Sequence, residues 1–131
     1  QIMSEQFKVE IISPDNSILK TDTTEVIIPS YEGEIGIMKD HIPLITFLRP
    51  GLIKIINEKE IIFFVEDGTV EFSNNNLLIL TSTANKISNL DKKFINSLIS
   101  VTEKKISNSD ITDKERYLLA YKIDTLKNIN Q

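Results

Sequence analysis

Three carboxylates and the chain's single histidine sit close together as Glu32, Glu34, Asp40 and His41. Side chains of these types can move protons, hold a cation or meet a charged partner. For catalysis the set is poor. One histidine supplies at most one imidazole, and Asp40 adjoins it in sequence, which does not make it an orienting partner. No Gly-x-Ser-x-Gly elbow, glycine-rich phosphate loop or His-x-x-x-His pair occurs. The absence of cysteine excludes disulfides and thiolate metal sites and fits an intracellular compartment. No catalytic residue, metal or cofactor is expected, and the group reads as a binding surface.

The elements around it read as β structure. Gly33 and Gly36 are positions where a chain can take positive φ or admit another backbone. Ile35 and Ile37 alternate as in a short strand. Pro43 pushes Ile42 toward an extended form and lacks an amide donor, which suits a sheet edge. Together they predict an irregular β corner exposing Glu32, Glu34, Asp40 and His41.

The 131 residues, 40% hydrophobic and 26% charged, suit one ordinary domain or a small domain with an appendage. The longest purely apolar run, Ile61 to Val65, is far too short to span a bilayer, and no signal peptide is visible. Charge is uneven: residues 1–86 carry 7 basic and 13 acidic side chains, whereas residues 87–131 carry 8 and 6. An acidic front argues against nucleic acid as a partner and allows attraction between the two parts.

Two periods divide the chain. Up to about residue 84, short runs are punctuated by turns. Phe7, Val9 and Ile11 alternate up to Ser13-Pro14-Asp15-Asn16, and Val26-Ile27-Ile28 ends at Pro29. Leu52–Ile56 and Ile61–Val65 flank a hairpin loop, and Asp67-Gly68 and Asn74-Asn75-Asn76 are further turns. The spacing fits a β-sandwich or a flattened barrel. Beyond residue 88, Phe94, Ile95, Leu98, Ile99, Thr102 and Ile106 define one helical face, after a cap at Ser88–Asp91. Thr112-Asp113-Lys114-Glu115 is a capping box opening a second helix with Leu119, Ile123 and Leu126 on its apolar face. Tyr117 and Tyr121 are expected to cover the seam between the helices. The expected domains are a β-sandwich over residues 1–86 and a helical hairpin over 87–131.

The wording of the corner, Glu32-Gly33-Glu34-Ile35-Gly36 followed by His41-Ile42-Pro43-Leu44, resembles the signature loop of the epsilon subunit of the F-type ATP synthase. Ser13-Pro14, Leu48-Arg49-Pro50-Gly51, Thr83-Ala84 and Leu90-Asp91 fall in that family's order. The resemblance implies a two-layer β-sandwich of about ten short strands, followed by an antiparallel helical hairpin. It implies a non-catalytic rotor subunit that clamps the gamma subunit and touches the membrane c-ring. Glu32 and Glu34 would face the ring, and Met38, His41 and Pro43 would lie toward gamma. The hairpin is the part that would meet the catalytic subunits. Localisation would be peripheral, through partners, on the cytoplasmic face of a bacterial inner membrane, with a plastid or other organelle membrane as the alternative.

Departures matter. Lys39-Asp40 replaces the usual Pro-Gly before the histidine, so that loop is expected to turn differently. Leu90-Asp91-Lys92-Lys93-Phe94-Ile95 lacks the arginine and alanine of family members that bind ATP. ATP binding is therefore not expected. The alternative reading is a nucleotide-sensing inhibitory regulator acting through the hairpin. A sugar- or peptide-binding sandwich is a third, disfavoured by the absence of Trp and the presence of only 3 Tyr.

Overall fold

The structure, a computed structural model, describes residues 5–129. Strands β1 (Phe7–Ile12), β2 (Ser17–Thr23), β3 (Glu25–Ser30), β4 (Gly33–Met38) and β5 (Leu44–Leu48) come first. They are followed by β6 (Gly51–Ile56), β7 (Glu60–Val65), β8 (Gly68–Ser73), β9 (Asn76–Leu80) and β10 (Asn85–Lys86). A 3-10 turn at Ile87–Asn89 leads into α1 (Lys92–Ile106) and α2 (Asp113–Ile129). The fold is thus the β-sandwich and helical hairpin expected from the two periods.

One layer runs β10-β7-β6-β3 with β4 on the far side of β3, and the other runs β5-β8-β9-β1-β2. Ser30 paired with Leu48 joins β3 to β5 where the layers meet. Alternate residues point inward, as the period of two requires. Phe7, Val9 and Ile11 of β1, Ile53 and Ile55 of β6, and Leu77 and Ile79 of β9 all enter one buried cluster. Phe7 and Phe72 meet edge to face at 5.5 Å between ring centroids. Each such side chain contributes about 1.5–3 kcal/mol by leaving water.

Two sequence readings need correction. β2 escaped notice because only Thr23 of Ser-Ile-Leu-Lys-Thr-Asp-Thr is buried; backbone pairing with β1 makes it a strand, and its apolar pattern is weak. Nor does β3 stop at Pro29. The strand continues to Ser30, with Pro29 buried and its carbonyl accepting a hydrogen bond from the Arg49 amide at 3.0 Å. Gly51 permits that packing, since a Cβ there would lie 2.5 Å from Cβ of Pro29.

The hairpin is closed by local polar contacts. Asp91 caps α1, its carboxylate accepting from the Phe94 amide at 2.7 Å. Thr112 and Glu115 form the capping box: the Thr112 amide donates to the Glu115 carboxylate at 2.8 Å, and the Glu115 amide donates to the Thr112 hydroxyl at 3.0 Å. Arg116 donates to the carbonyls of Ile106 and Asn108, partners for the otherwise open end of α1. Ile95 of α1 and Leu126 of α2 are buried with Phe64 of β7, and Leu52, Leu98 and Ile99 pack around them. The hairpin is therefore folded down on the outer face of the β6–β7 layer. Phe94 does not share that face: it stands 50% exposed, while Ile95 and Thr102 turn inward.

Candidate partner-binding surfaces

Glu32 and Glu34 flank the β3–β4 turn. The Ser30 hydroxyl donates to the Gly33 carbonyl at 2.7 Å and accepts from the Glu32 amide at 3.1 Å. Gly33 takes φ +117°, which explains the first glycine. Gly36 keeps ordinary strand geometry, and a Cβ there would meet only the Glu25 carboxylate, at 3.4 Å. Both glutamates are exposed. Glu34 also borders a small cavity that it shares with Arg49, Lys54, Tyr121 and Asp124.

Met38, His41 and Pro43 lie at the opposite end of β4. With about 3.3 Å of rise per residue, Glu34 and Met38 are separated by roughly 13 Å along the strand. The structure thus divides the expected site residues into two groups. Asp40 adopts φ +68°, a left-handed conformation that aspartate tolerates, and so replaces the family's usual glycine. Its amide donates to the Asn75 side chain at 2.7 Å, and the Asn75 side-chain amide returns a bond to its carboxylate at 3.0 Å. Asp40 is thereby tied to the β8–β9 turn and not to the imidazole.

His41 is half-buried, contrary to the expectation of an exposed ring. Its Nδ1 lies 2.7 Å from the Ile42 carbonyl, so Nδ1–H is the donor in that hydrogen bond. The ring stands edge-on to Phe72 at 5.9 Å and shields the end of the sandwich core. Met38 is 58% exposed, and Pro43 is exposed as well.

A third feature went unrecognised in the sequence. On the outer face of the β5–β9 layer, Ile45 is 77% and Phe47 62% exposed. Phe47 stands in register with Thr69, Leu80 and Ile12 across the sheet. Ile45 is in register with Glu71, Leu78 and Glu10. Phe47, Leu80 and Tyr31 line an open cavity of about 850 Å³. The available signal was Leu44-Ile45-Thr46-Phe47-Leu48, a strand whose outward positions are as apolar as its inward ones.

Elsewhere the sandwich and hairpin are pinned by polar contacts. Lys122, almost buried, pairs with Glu66 at 2.9 Å. The acidic front and basic tail meet in that pair. The Arg49 guanidinium lies 4.0 Å from the centroid of Tyr121, whose ring meets Tyr117 edge-on at 4.9 Å. Tyr121 thus contacts the sandwich, with Tyr117 packed against it and itself exposed, where the sequence suggested first the seam between helices and second an interface. Among the described residues, no group of three or more His, Cys, Asp or Glu side chains could hold a metal ion. No described helix is long and apolar enough to cross a membrane.

The described residues thus form a β-sandwich with a helical hairpin docked on one outer face and apolar side chains exposed on the other. The family model described as ATP synthase, Delta/Epsilon chain, beta-sandwich domain matches residues 6–87. The chain is 52% identical over 130 residues to the ATP synthase epsilon chain of Pelagibacter ubique (strain HTCC1062), covering 98% of this chain and 100% of that one. It is 32% identical over 110 residues to the epsilon chain of Dichelobacter nodosus, covering 82% and 77% respectively. The chain belongs to the ATP synthase epsilon-chain family. The fold is also that of a chain in the Euglena gracilis mitochondrial ATP synthase structure of OSCP, F1 and c-ring. That match has TM-score 0.81 at 18% identity, over 100% of this chain and 85% of that one. A chain in the Tetrahymena thermophila central stalk and c-ring structure matches with TM-score 0.67 at 17% identity, over 95% and 96%.

Proposed function

We propose that this chain is a non-catalytic central-stalk subunit of a proton-translocating F-type ATP synthase, coupling the gamma subunit to the membrane c-ring. The observation that carries this reading is the bare outer face of the β5–β9 layer. Exposed apolar patches on soluble proteins mark partner sites, and the family supplies the partner class. Met38, His41 and Pro43 enter β5, so the gamma-facing surface runs from them along Ile45 and Phe47. Glu32 and Glu34, at the other end of β4, are the acidic contacts toward the ring. A rotor element held at two separated points can transmit torque without chemistry of its own.

In this reading residues 1–86 form the partner-binding unit and residues 87–131 the hairpin. The protein is peripheral to the cytoplasmic face of a bacterial inner membrane through its partners, in keeping with its bacterial relatives. Nothing in the hairpin favours the nucleotide-sensing alternative: the Asp91 carboxylate is engaged as a helix cap. The test is the affinity of the purified chain for the gamma subunit of the same source. Phe47→Glu should weaken it at least about tenfold, as burying an unpaired charge at an interface does. Unchanged affinity would remove the bare face from the gamma interface.

A further inference from the structure

We propose that the cavity at the open end of the hairpin binds an anionic amphiphile, a carboxylate on a linear acyl chain. The cavity lies where the start of α1 and the end of α2 meet the β7 strand, and it measures about 740 Å³. That is within the range of pockets that hold small molecules. Its walls include Ile61, Ile62, Ile87, Leu90, Ile95 and Ile129.

Three lysines, Lys59, Lys86 and Lys92, line it as well, against one carboxylate, Glu60. None of the three belongs to an ion pair among the described residues, where the salt bridges are Lys8–Asp22, Lys122–Glu66 and Lys127–Glu103. An apolar floor under unpaired ammonium groups matches a ligand with an apolar body and an anionic head. A small inorganic anion would find only exposed lysines, each of which contributes little in salt. A neutral hydrocarbon would leave the lysines without a role.

The position gives binding a structural consequence. Ile61 packs against the sandwich core, whereas Ile87, Leu90 and Ile129 pack around the Phe64–Ile95–Leu126 cluster. A ligand touching both sets ties the hairpin to the sandwich and stabilises the folded-down arrangement. The inference stands apart from the stalk assignment, because it is read on the full chain alone.

The experiment is calorimetric titration of the full chain with octanoate, decanoate, decyltrimethylammonium and pyrophosphate, each below its micellar concentration. A buried methylene tightens binding about fourfold. Decanoate, two methylenes longer, should therefore saturate one site and bind about fifteenfold tighter than octanoate. Pyrophosphate and decyltrimethylammonium should bind at least about tenfold more weakly. The double variant Lys59→Glu, Lys92→Glu should weaken decanoate at least about fivefold with an unchanged circular dichroism spectrum. Decanoate should also slow amide exchange in α1 and α2. The proposal is overturned by non-saturating binding, by tight binding of decyltrimethylammonium or pyrophosphate, by indifference to the lysine variant, or by unchanged hairpin exchange.

Discussion

Both outer faces of the sandwich carry apolar side chains, and only one of them is covered. On the β6–β7 side, Leu52 and Phe64 lie under Ile95 and Leu126 of the hairpin. On the β5–β9 side, Ile45, Phe47 and Leu80 stand in solvent. The covered face is also pinned by the Lys122–Glu66 pair and by Arg49 over Tyr121. Directional contacts of this kind select one docking arrangement where apolar contact alone would tolerate several. The difference is one of covering: one face holds the molecule's own hairpin, and the other is open to solvent.

The largest effect should come from the core that both faces share. Phe72→Ala removes a fully buried ring in contact with Phe7 and His41, and should cost about 3–5 kcal/mol in urea unfolding. A cost below about 1 kcal/mol would mean that the two layers are not held by this cluster.

Next comes the covered face. Leu126→Ala should cost about 2–3 kcal/mol, at the lower end for such truncations because a docked hairpin can shift to fill the space. The loss should be local: amide exchange should speed up in α1 and α2 while β1 and β9 keep their protection. Uniform loss of protection would make hairpin and sandwich one cooperative unit and blunt the contrast.

The polar pin is weaker. Glu66→Gln leaves the nearly buried Lys122 ammonium without its counter-charge and should cost about 1–3 kcal/mol, read from hairpin exchange. Lys122→Met should cost less, since no buried charge is stranded. The opposite ranking would show that the pair does not fix the docking.

The capping box is smaller still, about 1 kcal/mol for Thr112→Ala. It also carries a pH signature. The Glu115 carboxyl is held below its ordinary value of 4.5, first by its hydrogen bond from the Thr112 amide and then by the one from the Thr112 hydroxyl. A carboxyl depressed on folding stabilises the hairpin at pH above 4.5, and that contribution is lost as pH falls through the lowered value. Hairpin helicity should therefore decline in acid more steeply in the wild type than in Glu115→Gln. Parallel acid profiles would detach the carboxyl from the cap.

Much of this arrangement was legible in the residues. Period two in Phe7-Val9-Ile11 and the residues of the capping box are local properties, and both are present in the structure. What escaped depends on distant partners. His41 is half-buried because Phe72 lies under it, and Tyr121 turns to the sandwich because Arg49 is there. Neither contact leaves a periodic trace. β2 carries its identity in backbone hydrogen bonds, which composition does not record. The bare face was readable in principle, since Ile45 and Phe47 occupy the alternate positions of a strand whose other side already fills the core.

The most direct measurement uses the absence of native cysteine. Single cysteines placed by Phe47→Cys and, on the outer side of the hairpin, by Val101→Cys should each leave stability within about 0.5 kcal/mol, because both positions are exposed. Their alkylation rates are then compared with and without the gamma subunit. If the bare face is the partner surface, gamma should slow alkylation at position 47 at least about tenfold and leave position 101 nearly unchanged. Protection of 101 with 47 still reactive would contradict it and move the partner to the hairpin.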